Sequence, residues 1–260
     1  MPGRVKADLS AEPREGDIIK AVKSYGVEAG VLPEASRVAG SSVEFSHRTG
    51  MSLPGVEAFE IRRSSRVIKR CMDIAGSTLA LLALAPLFAV IAVAIRLDSR
   101  GPVLFRQLRA GRRGCPFEMF KFRSMIDGAD QQKEALRHLN EADGVFKIAA
   151  DPRITRVGRW LRCVHLDELP QLINVVRGEM SLVGPRPLPL DEDRAIPGRY
   201  RKRQEVRPGI TGYWQVLGSS RVPVKEMVQL DYLYVARWSA WGDVKLMLRT
   251  IPVVIRHRGL

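Results

Sequence analysis

Cysteine is scarce and unpaired: Cys71, Cys115 and Cys163 form an odd set with no repeated spacing. That excludes a disulfide framework or a thiolate metal site and fits a reducing compartment. Histidine is little more abundant; His47, His138, His165 and His257 are scattered with no metal-ligand spacing. No Gly-rich phosphate loop, dinucleotide-binding fingerprint or Ser-His-Asp signature occurs, so the common nucleotide and hydrolase folds find no support. The first sixty residues lack a hydrophobic run, and no secretory signal peptide is expected. Acidic residues are also short, 28 Asp+Glu against 42 Lys+Arg, which leaves a net charge of +14. Such a surplus calls for an anionic partner: nucleic acid, an acidic membrane surface or a phosphorylated substrate. Nucleic acid is the weakest of these. There is no interleaved aromatic and basic surface and no recognisable motif, and that reading leaves the apolar run described next unexplained.

What the chain does have is a 45% apolar content, enough for an ordinary core, and one long uncharged stretch. Residues 1–66 are polar, rich in Gly, Ser, Glu and Arg, and are expected to be a mostly disordered extension, leaving 67–260 as the functional domain. Residues 74–95 carry no charge, a length that matches the ~20 residues needed to cross a bilayer core. Lys69 and Arg70 precede the run, and Arg96 and Arg100 follow it. Basic residues mark cytoplasmic flanks, so both ends are expected on one side. Pro86, near the middle, removes a backbone hydrogen bond. A broken helix that enters one leaflet and returns satisfies both facts; a kinked span is the alternative.

The remainder reads as globular. Residues 103–107 and 117–125 suggest two strands around a glycine-containing turn, with Lys121 and Arg123 sharing a face. A polar helix is expected over 128–142, helical spacing runs through 166–176, and 226–236 and 243–256 are amphipathic. The last suits either a membrane-interface helix or a core helix with a solvated face. The Pro- and Gly-rich stretch 184–218 is expected to be loops and turns.

Asp167 and Glu168 are the leading candidates for chemistry. Adjacent helical side chains diverge, so they do not form a shared-proton pair, and one is free to attack or bind metal while the other orients a neighbour. Helix capping is the bland alternative, since Pro170 allows a helix to start near Asp167. Arg159, Arg162, Arg177 and Arg186 surround the pair in sequence, and Arg186 is fixed between Pro185 and Pro187. Carboxylates, guanidinium groups and a rigid loop together fit Mg²⁺-assisted phosphoryl transfer.

From about Lys69 onward the sequence resembles the bacterial sugar transferase family, the monotopic polyprenyl-phosphate hexose-1-phosphate transferases. The matching stretches are KRCMDI (69–74), the apolar run with Pro86, GPVLFRQ (101–107), FKFRSM (120–125), DPRITRVGRWLR (151–162), LDELPQLINVVRGEMSLVGPRP (166–187), RPGITGYWQV (207–216) and LDYLYV (230–235). The resemblance implies a helix-rich α+β membrane-associated domain with a re-entrant helix and a small β-hairpin. It also implies transfer of hexose-1-phosphate from a UDP-sugar to polyprenyl (undecaprenyl) phosphate with release of UMP, at the cytoplasmic face of the bacterial inner membrane, as the first step of exopolysaccharide assembly. Asp167 would be the nucleophile and the ligand to Mg²⁺, and Glu168 its partner, paired with an arginine such as Arg162. Lys121 and Arg123 would face the active site, with Arg186, Asp231 and Asp243 as further substrate-binding positions. Lys69, Arg70, Asp73 and Pro86 would anchor the membrane helix among the lipids. A catalytically inactive binding protein of the same fold is the alternative, and the presence of both carboxylates favours the enzyme. Two departures stand out. LGSSR (217–221) stands where many members have Gly-Arg, so Arg221 is expected to take over a donor contact. Ala85 precedes Pro86 where some relatives carry serine.

Overall fold

A computed structural model describes residues 63–132, 135–136, 148, 151–196, 198–218, 227–228, 230–231, 234–235 and 238–256. Most of the expected extension 1–66, much of the helix expected over 128–142, and Arg221 lie outside these residues.

Helix α1 (Arg63–Asp98) begins three residues before the expected end of the extension. It is one continuous helix through Pro86 rather than two. A single proline deletes one hydrogen bond, here the one to the Leu82 carbonyl, and a long apolar helix tolerates that loss. Polar residues at positions 69, 73 and 77 recur every fourth residue, and all three side chains are buried against the globular body. Leu79, Leu82, Val90, Val93 and Leu97 are instead exposed. At its far end Ile91 and Ile95 are buried again, against Phe122 and Leu161. Both flanks of the apolar stretch therefore dock on the same body.

Strands β1 (Leu104–Ala110) and β2 (Pro116–Phe122) form the expected hairpin, antiparallel with Phe105 opposite Lys121 and Arg109 opposite Phe117. The turn is a short 3₁₀ segment in which Arg113 (φ 58°) and Gly114 (φ 74°) take left-handed backbone. Helix α2 (Arg156–Cys163) starts at Thr155, whose hydroxyl accepts from the Gly158 amide at 3.0 Å. It crosses the chain after β2 so closely that a Cβ on Gly158 would lie 1.9 Å from the Ser124 carbonyl oxygen. The helical spacing seen over 166–176 is two elements, a 3₁₀ turn Leu166–Glu168 and helix α3 (Gln171–Arg177). Pro170 is the N-cap of α3, and Gly178 (φ 86°) ends it.

The stretch 184–218, expected to be loops, also holds regular structure. Within it β4 (Gly209–Thr211) pairs in parallel with β3 (Ser181–Val183), which immediately precedes the stretch, and α4 (Leu190–Arg194), a 3₁₀ segment Gly198–Glu205 and α5 (Tyr213–Gly218) lie around them. Three-residue strands and five- or six-residue helices are too short to produce a hydrophobic period. Helix α6 (Ala240–Arg256) packs Leu246 into a core with Val183, Val206, Tyr234 and Val235. Trp241, Leu248 and Ile251 on α6 remain exposed.

Candidate active site

The path of the chain between α2 and α3 creates the site. His165 takes left-handed backbone (φ 55°), uncommon for a residue with a side chain, and it redirects the chain into the Leu166–Glu168 turn. A 3₁₀ turn advances ~120° per residue, so consecutive carboxylates point apart. Asp167 is turned inward, 8% exposed, and makes no hydrogen bond or ion pair among the described residues. It caps neither neighbouring helix, which removes the capping alternative. Burial pushes its carboxyl above the usual range, Lys121 and Arg162 oppose that, and Glu168 adds to it.

Glu168 has the opposite environment. Its Oε1 accepts from Lys121 Nζ at 2.7 Å. Burial raises its pKa, but the Lys121 ammonium and the Arg186 guanidinium outweigh burial and bring it to about 2. The partner of Glu168 is thus Lys121, not Arg162. Arg162 donates from Nε to the Ser124 hydroxyl at 2.8 Å and acts on Asp167 through its charge. The tight crossing at Gly158 brings Arg162 and Ser124 together.

Beside Glu168 an open pocket is lined by Arg109, Lys121, Glu168, Gln171, Arg186 and Gln215. Arg109 comes from β1 and donates to the Pro187 carbonyl at 3.3 Å. Burial first, and then Arg186, lower its pKa to about 10. Arg186 lies over the Trp214 ring, 4.9 Å from its centre. Three cations thus converge on a single carboxylate. Gln215 Oε1 and Trp214 Nε1 are buried without a hydrogen-bonding partner, as expected of groups waiting for a ligand. The sequence reading missed Arg109, Gln171 and Gln215. For Arg109 a signal existed: it shares strand parity with Gln107, but the strand had been ended at 107.

Several expected site residues lie elsewhere. Arg123 follows the last residue of β2 and does not face the carboxylates. It donates to the carbonyls of Ser99 and Arg100 at 2.7 and 2.6 Å, closing the C-terminal end of α1. Asp231 pairs with Arg203 (2.7 Å), and Arg203 in turn holds the Arg186 carbonyl at 2.6 Å. The Arg186 amide also bonds to Asp231, so this aspartate clamps the Pro-Arg-Pro loop from behind. Asp243 binds Lys69 at 2.6 Å, Tyr234 at 2.9 Å and Trp238 at 3.0 Å, far from the pocket residues. Arg159 is exposed, and Arg177 stacks on Phe120. Three of the residues expected to anchor the membrane helix, Lys69, Arg70 and Asp73, instead bind other parts of the protein. Lys69 also donates to the Val183 carbonyl (2.9 Å), and Arg70 donates to the carbonyls of Val175 and Val176 at the end of α3. Asp73 accepts from the Ser181 hydroxyl and the Leu182 amide, both at 2.9 Å.

Residues 64–257 match the model of the family described as "Bacterial sugar transferase". The chain is 46% identical over 204 residues to an undecaprenyl-phosphate glucose phosphotransferase of Komagataeibacter xylinus, an alignment covering 74% of this chain and 36% of that protein. It is 36% identical over 253 residues to the galactosyl transferase CpsE of Streptococcus agalactiae, covering 94% of this chain and 55% of the relative. With the exopolysaccharide production protein ExoY of Rhizobium meliloti the identity is 37% over 208 residues, covering 78% of this chain and 92% of ExoY. The chain spans about half or less of the length of the first two relatives. A match over about three quarters of its residues, which includes every element of the site, makes this chain a member of the bacterial sugar transferase family.

Proposed function

We propose that the chain transfers hexose-1-phosphate from a UDP-sugar to polyprenyl phosphate, undecaprenyl phosphate by analogy with its relatives, as the first step of exopolysaccharide assembly. The observation that carries this is Asp167, a buried carboxylate with no protein partner, set beside cations that a diphosphate would neutralise. Burial makes Asp167 more basic than an ordinary carboxylate and hence more nucleophilic. Its oxygen attacks the sugar-bearing phosphorus, the bond to the UMP oxygen breaks, and UMP leaves. The phosphate oxygen of the lipid acceptor then attacks the same phosphorus and frees Asp167. Splitting the transfer in two gives ping-pong kinetics. Lys121, fixed by Glu168, Arg162, Arg186 and Arg109 surround the transferring group with positive charge.

Asp167 is the residue that would hold Mg²⁺, because its oxygens are unclaimed and this ion takes one or two carboxylates with its other positions filled by phosphate and water. When bound, the ion would offset the charge of the diphosphate. Among the described residues no group of three His, Cys, Asp or Glu side chains is placed to hold a metal ion.

Placement at the cytoplasmic face of the membrane is supported by α1. Its most apolar window is only 11% buried, whereas the core helix of a soluble protein is mostly covered. Docking of both flanks on one body, with basic residues at each, favours an unbroken helix whose two ends share one side of the membrane over a full span. The test of the whole reading uses radiolabelled nucleotide sugar without acceptor. Label should remain on the denatured wild-type protein and be absent from Asp167→Asn, with turnover lowered by ~10⁴-fold or more, the loss seen when a nucleophile is removed. Full turnover by Asp167→Asn would exclude this nucleophile, and strictly ternary-complex kinetics would exclude the covalent route.

A further inference from the structure

A second concentration of positive charge lies outside the catalytic pocket. Arg66 and Arg70, one turn apart on α1, lie within electrostatic reach of Arg112 and Arg113 in the hairpin turn and of Arg207 before β4, and Arg70 and Arg207 both reach the C-terminal end of α3. Arg112 donates from Nε to the Glu205 carbonyl at 2.9 Å, Arg207 from Nε to the Gly178 carbonyl at 2.6 Å, and Arg70 to the end of α3. These bonds go to backbone carbonyls, and no carboxylate forms an ion pair with any of the five among the described residues. The groups repel. Burial and then Arg113 and Arg66 weaken the hold of Arg112 on its proton. Burial, Arg70 and Arg112 do the same at Arg207. The carboxylate opposing this is Asp73, whose Oδ1 is already engaged by Ser181 and Leu182. A protein that gathers five repelling cations against a single carboxylate gains when an anion joins them.

The position of the cluster selects the anion. Arg66 and Arg70 precede the uncharged run by one to two turns, and between them and its start Val67, Ile68 and Ile74 are exposed, at 62%, 51% and 41%. Guanidinium groups beside exposed aliphatic side chains, at the end of an apolar helix, match a headgroup with its acyl chains. We propose that Arg66, Arg112, Arg113 and Arg207 bind the phosphate of an anionic phospholipid, at a site separate from the catalytic pocket. The site fixes the depth and tilt of the domain on the membrane. It rests on α1 lying in the bilayer, as read above.

The experiment places the full chain in nanodiscs and measures, by electron spin resonance, the motionally restricted fraction of spin-labelled phosphatidylglycerol and phosphatidylcholine. The wild type should prefer phosphatidylglycerol by about five-fold or more, the gain that one arginine near an anionic surface provides. In R66Q/R113Q that preference should fall below about two-fold, while the restricted phosphatidylcholine fraction stays unchanged. Neither side chain holds another part of the described structure, so folding is not at stake. An equal preference in wild type and R66Q/R113Q, or none in the wild type, overturns the site. Displacement of the labelled phosphatidylglycerol by about 10 mM inorganic phosphate at constant ionic strength overturns it in favour of a soluble anion. Absence of any restricted lipid, phosphatidylcholine included, overturns it at the earlier step, because α1 would then not lie in the bilayer.

Discussion

Two buried polar clusters, built from the same residue types, are finished differently. Around Lys69 and Asp243 every group is matched: the ammonium has three acceptors, and the two carboxylate oxygens receive Lys69, Tyr234 and Trp238. Around Asp167 and Glu168 matching stops halfway. Glu168 is satisfied by Lys121, Asp167 has no partner, and Arg109 and Arg186 line the pocket beside Glu168 without forming an ion pair among the described residues. The closed cluster joins α1 to the body, and the open one is left for substrate to complete. A buried polar group is costly until it is matched, so an unmatched one marks a place where something else must arrive.

Breaking the closed cluster should give the largest effect on stability. Asp243→Leu leaves the Lys69 ammonium buried without its counter-charge and should cost about 3–5 kcal/mol in thermal unfolding of the detergent-solubilised protein. Lys69→Met combined with Asp243→Leu should recover most of that loss, since replacing both charges with apolar groups is often neutral. A double variant as unstable as the single one would mean that the charges are not what holds α1. Opening the open cluster further should leave stability nearly untouched. Arg109→Ala should raise the donor KM by about 10- to 100-fold, the value of a charge-assisted bond of about 1.5–3 kcal/mol, with kcat little changed. Initial rates at varied donor concentration decide this, and an unchanged KM would remove Arg109 from the diphosphate contacts.

The smallest effect is expected at Asp231, which lies between the two types: it is paired, but its pairing serves the pocket. Burial raises it to about 6 despite Arg203 and Arg186. Its folded pKa exceeds the ordinary aspartate value, so the native state binds the proton more tightly than the unfolded chain. This group therefore adds stability below about pH 4 and loses that contribution as pH rises through about 6. Activity should move the other way. Protonation below about pH 6 neutralises the clamp on Arg203 and loosens the Pro-Arg-Pro loop, so turnover falls with acidification. Parallel pH profiles of melting temperature and rate should show the opposing slopes, and in Asp231→Asn both components should disappear.

How much was legible in the sequence follows from the range of each interaction. The apolar run, the hairpin and the terminal helix were readable because charge absence and side-chain periodicity are local. The carboxylate pair stood out through its arginine-rich surroundings and its family motif. Arg123, Asp231 and Asp243 were assigned to the substrate by the family resemblance, and no local pattern shows their partners, which lie 24, 28 and 174 positions away. The pairing of Glu168 with Lys121 spans 47 positions and depends on a 3₁₀ turn created by left-handed backbone at His165, which no side-chain pattern announces. The short strands β3 and β4 were missed for lack of length.

The Lys69–Asp243 pair also bears on how the chain is made. Its two halves are separated by 174 residues, nearly the whole described chain, and Asp73 finds Ser181 and Leu182 only 108 and 109 positions later. During synthesis α1 emerges before its partners, and of its buried charges Lys69 must wait for the last helix. Until then the early apolar helix carries a lysine without its counter-charge near its N-terminal end, so that end is among the last parts of the fold to be completed. Contacts of such separation form late, because the loop must close before they contribute. A chain stopped short of residue 243 would keep Asp73 on Ser181 and Leu182 but leave the Lys69 ammonium without its counter-charge.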